Sequence, residues 1–174
     1  MKFLETSLTD AFLVQPEKRD DNRGFFARIL CQHEFAAQSL VFEFVQANLS
    51  HNENSGTLRG MHFQHSPHAE VKLVRCVRGG IFDVIVDLRP ESASFRRWQG
   101  FELTASNANS LYVPTGFAHG FITLTDDTDV MYHVSHFYTP SAESGIRYND
   151  PAIGIEWPVP VTSISDKDTT WRLL

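Results

Sequence analysis

Short apolar stretches recur along the chain and are interrupted every few residues by Gly, Pro, Asn or Asp, a rhythm of strands and turns more than of amphipathic helices. The clearest case is "VKLVRCVRGGIFDVIVDLRP". It predicts two strands around Gly79-Gly80, a hairpin signal, with Phe82, Val84, Val86 and Leu88 alternating against Asp83, Ile85 and Asp87. "NSLYVPTGFAHGFITLTDD" and "DVMYHVSHFYTP" predict two or three further strands, and "CQHEFAAQSL" reads as a short helix. Regularly spaced short strands favour an all-β sandwich or jelly-roll barrel with one or two short helices. No repeat, low-complexity run or linker divides the chain, so residues 1–174 are expected to form a single domain with a core of its own.

A formal charge of −6 argues against a non-specific hold on nucleic acid, which needs a basic excess to neutralise phosphates. A local cationic pocket for a small anion is compatible with it. The two cysteines, Cys31 and Cys76, have neither CxxC spacing nor a tight His/Cys pattern, so a disulfide framework and a zinc ribbon are both unsupported. The amino-terminal "MKFLETSLTDAFLVQPEKRDD" breaks its apolar residues with Glu5, Thr6 and Asp10 and lacks the core of a signal peptide. No apolar run approaches membrane-spanning length, and a cytoplasmic location is expected.

Strand parity gives the ionisable residues their first reading, since side chains two apart share a face. Lys72 is in register with Val74 and Cys76. A lysine on an apolar face must reach solvent, pair with an anion, or project into a polar cavity. Tyr132 shares its face with Val130 and Val134, which by itself reads as a core tyrosine. His62 and Gln64 share one face of their strand and Met61 and Phe63 the other, the pattern of a cavity wall or of a solvated outer face. His62, His65, His68, Glu70 and His119 are donor types that suit a divalent metal. Their spacing is poor for one: His62 and His65 would point to opposite sides of a straight strand, and Ser66-Pro67 places His65 and His68 beside a turn. No metal is expected.

The blocks "DNRGFFARIL", "FVQANLSHNENSGTLRGMHFQ", "VKLVRCVRGGIFDVIVDLRPESASFRRW", "LYVPTGFAHGFITL", "SHFYTPSAESGIRYNDPAIGIEWP" and "ISDKD" occur in one order over nearly the whole length. In them the chain resembles the dTDP-4-dehydrorhamnose 3,5-epimerases. The resemblance implies a cupin-type jelly roll without metal or other cofactor, usually a homodimer that exchanges amino-terminal strands, acting on a nucleotide-linked 4-keto-6-deoxyhexose at C3, C5 or both. By the same resemblance His62, Lys72, Tyr132 and Asp168 belong at the reacting centre. Two other classes compete: a metal-dependent cupin oxygenase or isomerase, and a non-catalytic sugar-nucleotide binding module, which would gain nothing from keeping those four residues together.

Those residue types suit the chemistry. A ketone at C4 acidifies the hydrogens on C3 and C5, because their loss gives an enolate whose charge rests on the ketone oxygen. A base with a pKa near 6.5 is needed, and His62 is the candidate. Asp168 would fix the imidazole tautomer and stabilise its cation. Lys72, with His119 alongside, would face the developing oxyanion. Inversion requires the returning proton to arrive on the opposite face, from a second group, and Tyr132 can donate it.

Arg59 and Arg23 would hold phosphate oxygens through charge-assisted hydrogen bonds. Arg59 has the opposite strand parity to His62, so its assignment rests on the "LRG" match alone. By resemblance Phe26, Gln46, Asn48 and Glu143 touch nucleotide or sugar and Tyr138 stacks on the base. Arg28 stands where many relatives carry a glutamate, and unlike glutamate it only donates. Ala47 replaces an acidic residue, and the segment from Asn48 to Arg59 is one residue longer than in close relatives.

Overall fold

The computed structural model describes residues 1–174. Two antiparallel sheets face each other. The first runs β1 (Lys2–Glu5), β2 (Phe12–Gln15), β10 (Ser110–Val113), β7 (Lys72–Arg78), β12 (Thr128–Val134), β5 (Gln46–Asn52). The second runs β13 (Glu143–Gly145), β6 (Thr57–Gln64), β11 (Phe117–Thr123), β8 (Gly80–Asp87), β9 (Trp98–Thr104), with β14 (Ser163–Ile164) parallel to β6. β3 (Arg19–Asp21) and β4 (Gly24–Phe26) form a separate exposed hairpin. The helices are α1 (Gln32–Ala37), inside the predicted stretch, and α2 (Asp166–Thr169), which no periodicity announced. The all-β expectation holds.

Three apolar layers hold the sheets. Between them lie Val74, Cys76, Leu111, Val113 and Val130 from the first sheet and Ile81, Ile85, Leu103, Phe117 and Phe121 from the second, with Leu8 and Ala11 alongside. Alternation puts the odd residues Ile81 and Ile85 of β8 inside this layer. Its even residues Val84 and Val86, with Met61 and Ala118, pack under Ile146 and Ile153 of the carboxy-terminal segment. On the far side of the first sheet, Phe35 of α1 covers Leu73 and Tyr112. Removing a side chain such as the fully buried Phe35 would cost about 3–5 kcal/mol through lost transfer energy and the cavity left behind.

The predicted hairpin at Gly79-Gly80 is not one. β7 pairs with β10 and β12, whereas β8 pairs with β11 and β9, so the chain crosses from one sheet to the other at the glycines. Gly79 has φ +75°, and a Cβ there would lie 2.4 Å from Thr128 Oγ1, so the position demands glycine. A glycine pair announces a tight change of direction. It says nothing about which neighbours the flanking strands take, and here the carbonyls of Gly79 and Gly80 accept from Ala105 and Leu124.

Candidate active site

A cavity of about 970 Å³ opens between the sheets, large enough for a sugar nucleotide. Its wall is built largely from β5 and β12 on one side and β6 and β11 on the other, with Lys72 at the start of β7 and α2 at the mouth. Of the residues expected at the site, His62, Lys72, Tyr132, Asp168, Gln46, Asn48, Arg59, His119, Tyr138 and Glu143 all line it.

β6 reaches this arrangement through an irregularity. His119 pairs with His62 and Phe121 with Arg59, so β6 spends one residue more than β11 between the two pairs. That bulge turns Arg59, three residues from His62, into the same cavity, which corrects the parity objection to it. Gly60 makes the bulge possible: its φ is +139°, and a Cβ on it would lie only 2.5 Å from Gly120 Cα. The Arg59 guanidinium is held by neutral acceptors, Asn52 Oδ1 at 2.7 Å and the His51 carbonyl at 3.2 Å, and has no carboxylate within salt-bridge distance. Its charge is therefore free to meet an anion.

His62 Nε2 lies 2.6 Å from Asp168 Oδ1. Asp168 is buried, and α2, capped by Ser165, sets its position. Burial alone would raise its carboxyl pKa; the hydrogen bond and charge of His62, with donation from the Gly60 N–H at 3.2 Å and Trp171 Nε1 at 3.3 Å, hold it below the ordinary value. Lys72 Nζ lies 3.1 Å from Glu70 Oε1 and donates to the His62 carbonyl at 3.2 Å. Gln64 steadies Glu70 by donating to Oε2 at 3.0 Å, and its own carbonyl accepts from the Thr139 N–H at 2.6 Å. The Tyr132 hydroxyl makes no hydrogen bond within the chain, and burial pushes its pKa up, so it is protonated at neutral pH.

His119 forms a second pair: its Nε2 lies 2.9 Å from Oδ1 and 3.0 Å from Oδ2 of Asp83. At the mouth, Tyr138 donates to Glu143 at 3.0 Å, and Lys167 does so at 2.7 Å. Burial would raise the Glu143 pKa, but Lys167 and Tyr138 outweigh it and lower it. Gln46 Nε2 donates to Asn48 Oδ1 at 2.8 Å, orienting both amides along the rim.

Three expected residues are not brought to this cavity. Arg23 pairs with Asp21 at 2.6 Å on the β3–β4 hairpin, Phe26 is 70% exposed on the same hairpin, and Arg28 pairs with Glu34 at 3.0 Å. His65 and His68 do not line it either; His65 packs on Phe63 and His68 on His136. Conversely, the roles of Glu70, Lys167, Gln64, Asp83 and Trp171 escaped sequence reasoning. Lys167 adjoins Asp168 in "ISDKD" and was within reach; the partnerships of Glu70, Asp83 and Trp171 depend on chain crossings that no local pattern encodes.

A jelly roll whose two sheets enclose an imidazole–carboxylate pair, a lysine, a free arginine and a protonated phenol defines an enzyme class that moves protons on and off an anionic substrate. The family model for dTDP-4-dehydrorhamnose 3,5-epimerase matches residues 5–174. The dTDP-4-dehydrorhamnose 3,5-epimerase of Shigella flexneri is 43% identical over 97% of this chain and 93% of its own. The crystal structure of the Bacillus anthracis enzyme of that name, with TDP and pyrophosphate bound, superposes with a TM-score of 0.96 at 44% identity, covering 99% of each chain. An epimerase from Legionella pneumophila in complex with dTDP-4-keto-L-rhamnose is 34% identical, with a TM-score of 0.92 over 99% of this chain and 92% of its own. The chain belongs to the dTDP-4-dehydrorhamnose 3,5-epimerase family, and is an isomerase.

Proposed function

We propose that this chain converts dTDP-4-dehydro-6-deoxy-D-glucose to dTDP-4-dehydro-L-rhamnose by two proton transfers, one at C3 and one at C5, each through an enolate. His62 takes the proton as base and Asp168 stabilises the imidazolium that forms. The C–H electron pair becomes the enolate, whose negative oxygen is met by Lys72 and His119. Tyr132 returns a proton to the carbon from the opposite face; solvent then restores the proton to Tyr132 and takes the one held by His62. The observation that carries this reading is that His62 on β6 and Tyr132 on β12 belong to opposing sheets yet line one cavity. Arg59, with no carboxylate partner, is the anchor for the diphosphate; Gln46, Asn48, Tyr138 and Glu143 meet the nucleotide and sugar.

Incubation with dTDP-4-keto-6-deoxyglucose in deuterated water, followed by proton NMR, tests it. Loss of both the C3 and C5 signals is the expected result. No exchange at either carbon overturns it, and exchange at only one makes the protein a mono-epimerase.

A homodimer belongs to the same proposal. Arg23 and Phe26 sit on an exposed hairpin away from their own cavity, and Phe25, Phe26, Ile29 and Leu30 are exposed apolar side chains on or beside it. A second copy gives these residues a cavity to enter and a surface to cover them. Mixing inactive His62→Ala with inactive Arg23→Ala should restore activity if the hairpin serves the partner; continued inactivity would rule that out. No helix is long and apolar enough to cross a membrane, and both cysteines are free thiols, which agrees with work in the cytoplasm.

A further inference from the structure

Asp83 is a fully buried carboxylate that the proton transfers above do not use. It stands behind His119, not in the cavity wall, and its only hydrogen-bonding partner is Nε2 of that histidine. Its Oδ1 makes no hydrogen bond of good geometry at all. His119 and His62 are direct partners across β11 and β6. Asp168 accepts from the Gly60 N–H and the Trp171 indole besides its histidine, so His62 can lose a proton without leaving that carboxylate bare. Asp83 has no such support. Were the Asp83–His119 pair to give up its shared extra proton, a buried anion would be left with a neutral ring as its one hydrogen-bonding partner, which burial penalises.

We propose that Asp83 is a positioning residue: its contact with Nε2 keeps a proton on Nδ1 of His119, making that histidine a fixed donor to the substrate's C4 oxygen and not a second base. While the pair keeps its extra proton, the count gives this result in either of its forms. If the carboxyl is ionised, the ring is an imidazolium carrying N–H at both nitrogens; if the carboxyl is protonated and donates to Nε2, the neutral ring carries its hydrogen on Nδ1. Nδ1 has no hydrogen bond within the chain and is not among the sealed, unsatisfied polar atoms. Burial pushes the Asp83 carboxyl up, with His119 and then Lys72 pulling the other way, which agrees with a pair that retains its proton. Ionisable groups that share the cavity wall with His119 include His62 and Arg59 from β6, Tyr132 from β12, Asp168 from α2, and Lys72, whose charge Glu70 offsets; Glu143 and Lys167 pair with each other at the mouth.

The proposal rests on the epimerase reading for its consequence but not for its first test. Nitrogen-15 NMR of the free protein should show Nδ1 of His119 protonated from about pH 6 to pH 9, with no substrate present. An unprotonated Nδ1 in that range overturns the proposal, whatever the exchange assay finds. Asp83→Asn keeps an acceptor for Nε2–H and removes the charge, so Nδ1 should lose its proton and kcat fall by about 10²–10³-fold with KM nearly unchanged. In a His119→Gln background, where the amide donates without help, adding Asp83→Asn should cause no further loss. Multiplying losses, or an Asp83→Asn variant with parental kcat, would show that Asp83 does not act through His119.

Discussion

His62 and His119 face each other across β6 and β11, line the same cavity and are each backed by a buried aspartate, yet the surroundings of the two carboxylates differ. Asp168 accepts from the Gly60 N–H and the Trp171 indole as well as from His62, and is held below the ordinary carboxylate range. Asp83 is paired with His119 alone and is shifted upward. A buried carboxylate keeps its charge where the donors around it outweigh the cost of burial, and Asp83 is the deeper of the two and has the fewer donors. Asp87 makes the same point a third time: burial would raise it, but Arg89, Ser92 and Ser94 together bring it to about 2.

The contrast can be broken from the side of the base. His62→Ala should abolish deuterium incorporation at C3 and C5, a loss of about 10³–10⁴-fold, in the NMR assay; equal incorporation in variant and parent would remove His62 from its role. Asp168→Asn leaves the ring in place but replaces an acceptor fed by several donors with an amide, so kcat should drop by about 10²–10⁴-fold, with the pH profile altered. Tyr132→Phe should impair inversion more than initial proton loss, leaving solvent exchange with retention at a rate roughly 10–100-fold above that of net epimerisation. Arg59→Ala, which removes the unpaired cation, should act mainly on binding: KM should rise by about 10–100-fold, the equivalent of about 1.5–3 kcal/mol for a charged hydrogen bond, with a smaller change in kcat.

The smallest effect concerns stability. The folded pKa of Asp87 is depressed to about 2 from 3.8, so its contribution is fully present above the unfolded value and is lost as pH falls through the folded one. Stability measured by denaturant titration should decline by about 2 kcal/mol from this group between pH 5 and pH 2. Asp87→Asn should lack that component, so a decline of equal size in the variant would assign the acid sensitivity elsewhere.

Much of this was legible along the chain, and the misreadings have physical causes. His62 and Gln64, in register on β6, both line the cavity, and Lys72 enters it from the face whose next residue, Val74, lies in the core between the sheets, because alternation is a property of the strand itself. Arg59 defied alternation because Gly60 lets β6 bulge, an event that shows only when β11 is laid beside it. The Gly79-Gly80 hairpin failed for a related reason: the turn is local, but the choice of sheet for each strand is not.

By itself the sequence determined strand-forming stretches, a short helix within residues 31–40 and the absence of a basic excess, because periodicity, turn chemistry and residue type act over a few positions, while the candidate proton-moving side chains came from ordered blocks shared with the family. The tertiary structure alone decided which carboxylate stands behind which histidine, that Glu70 neutralises Lys72 while Arg59 goes unpaired, and that Arg23, Phe26 and Arg28 fall outside their own chain's cavity. Hydrogen bonding and burial join residues as far apart as Gly60 and Asp168, and only the packing of two sheets brings such partners within reach.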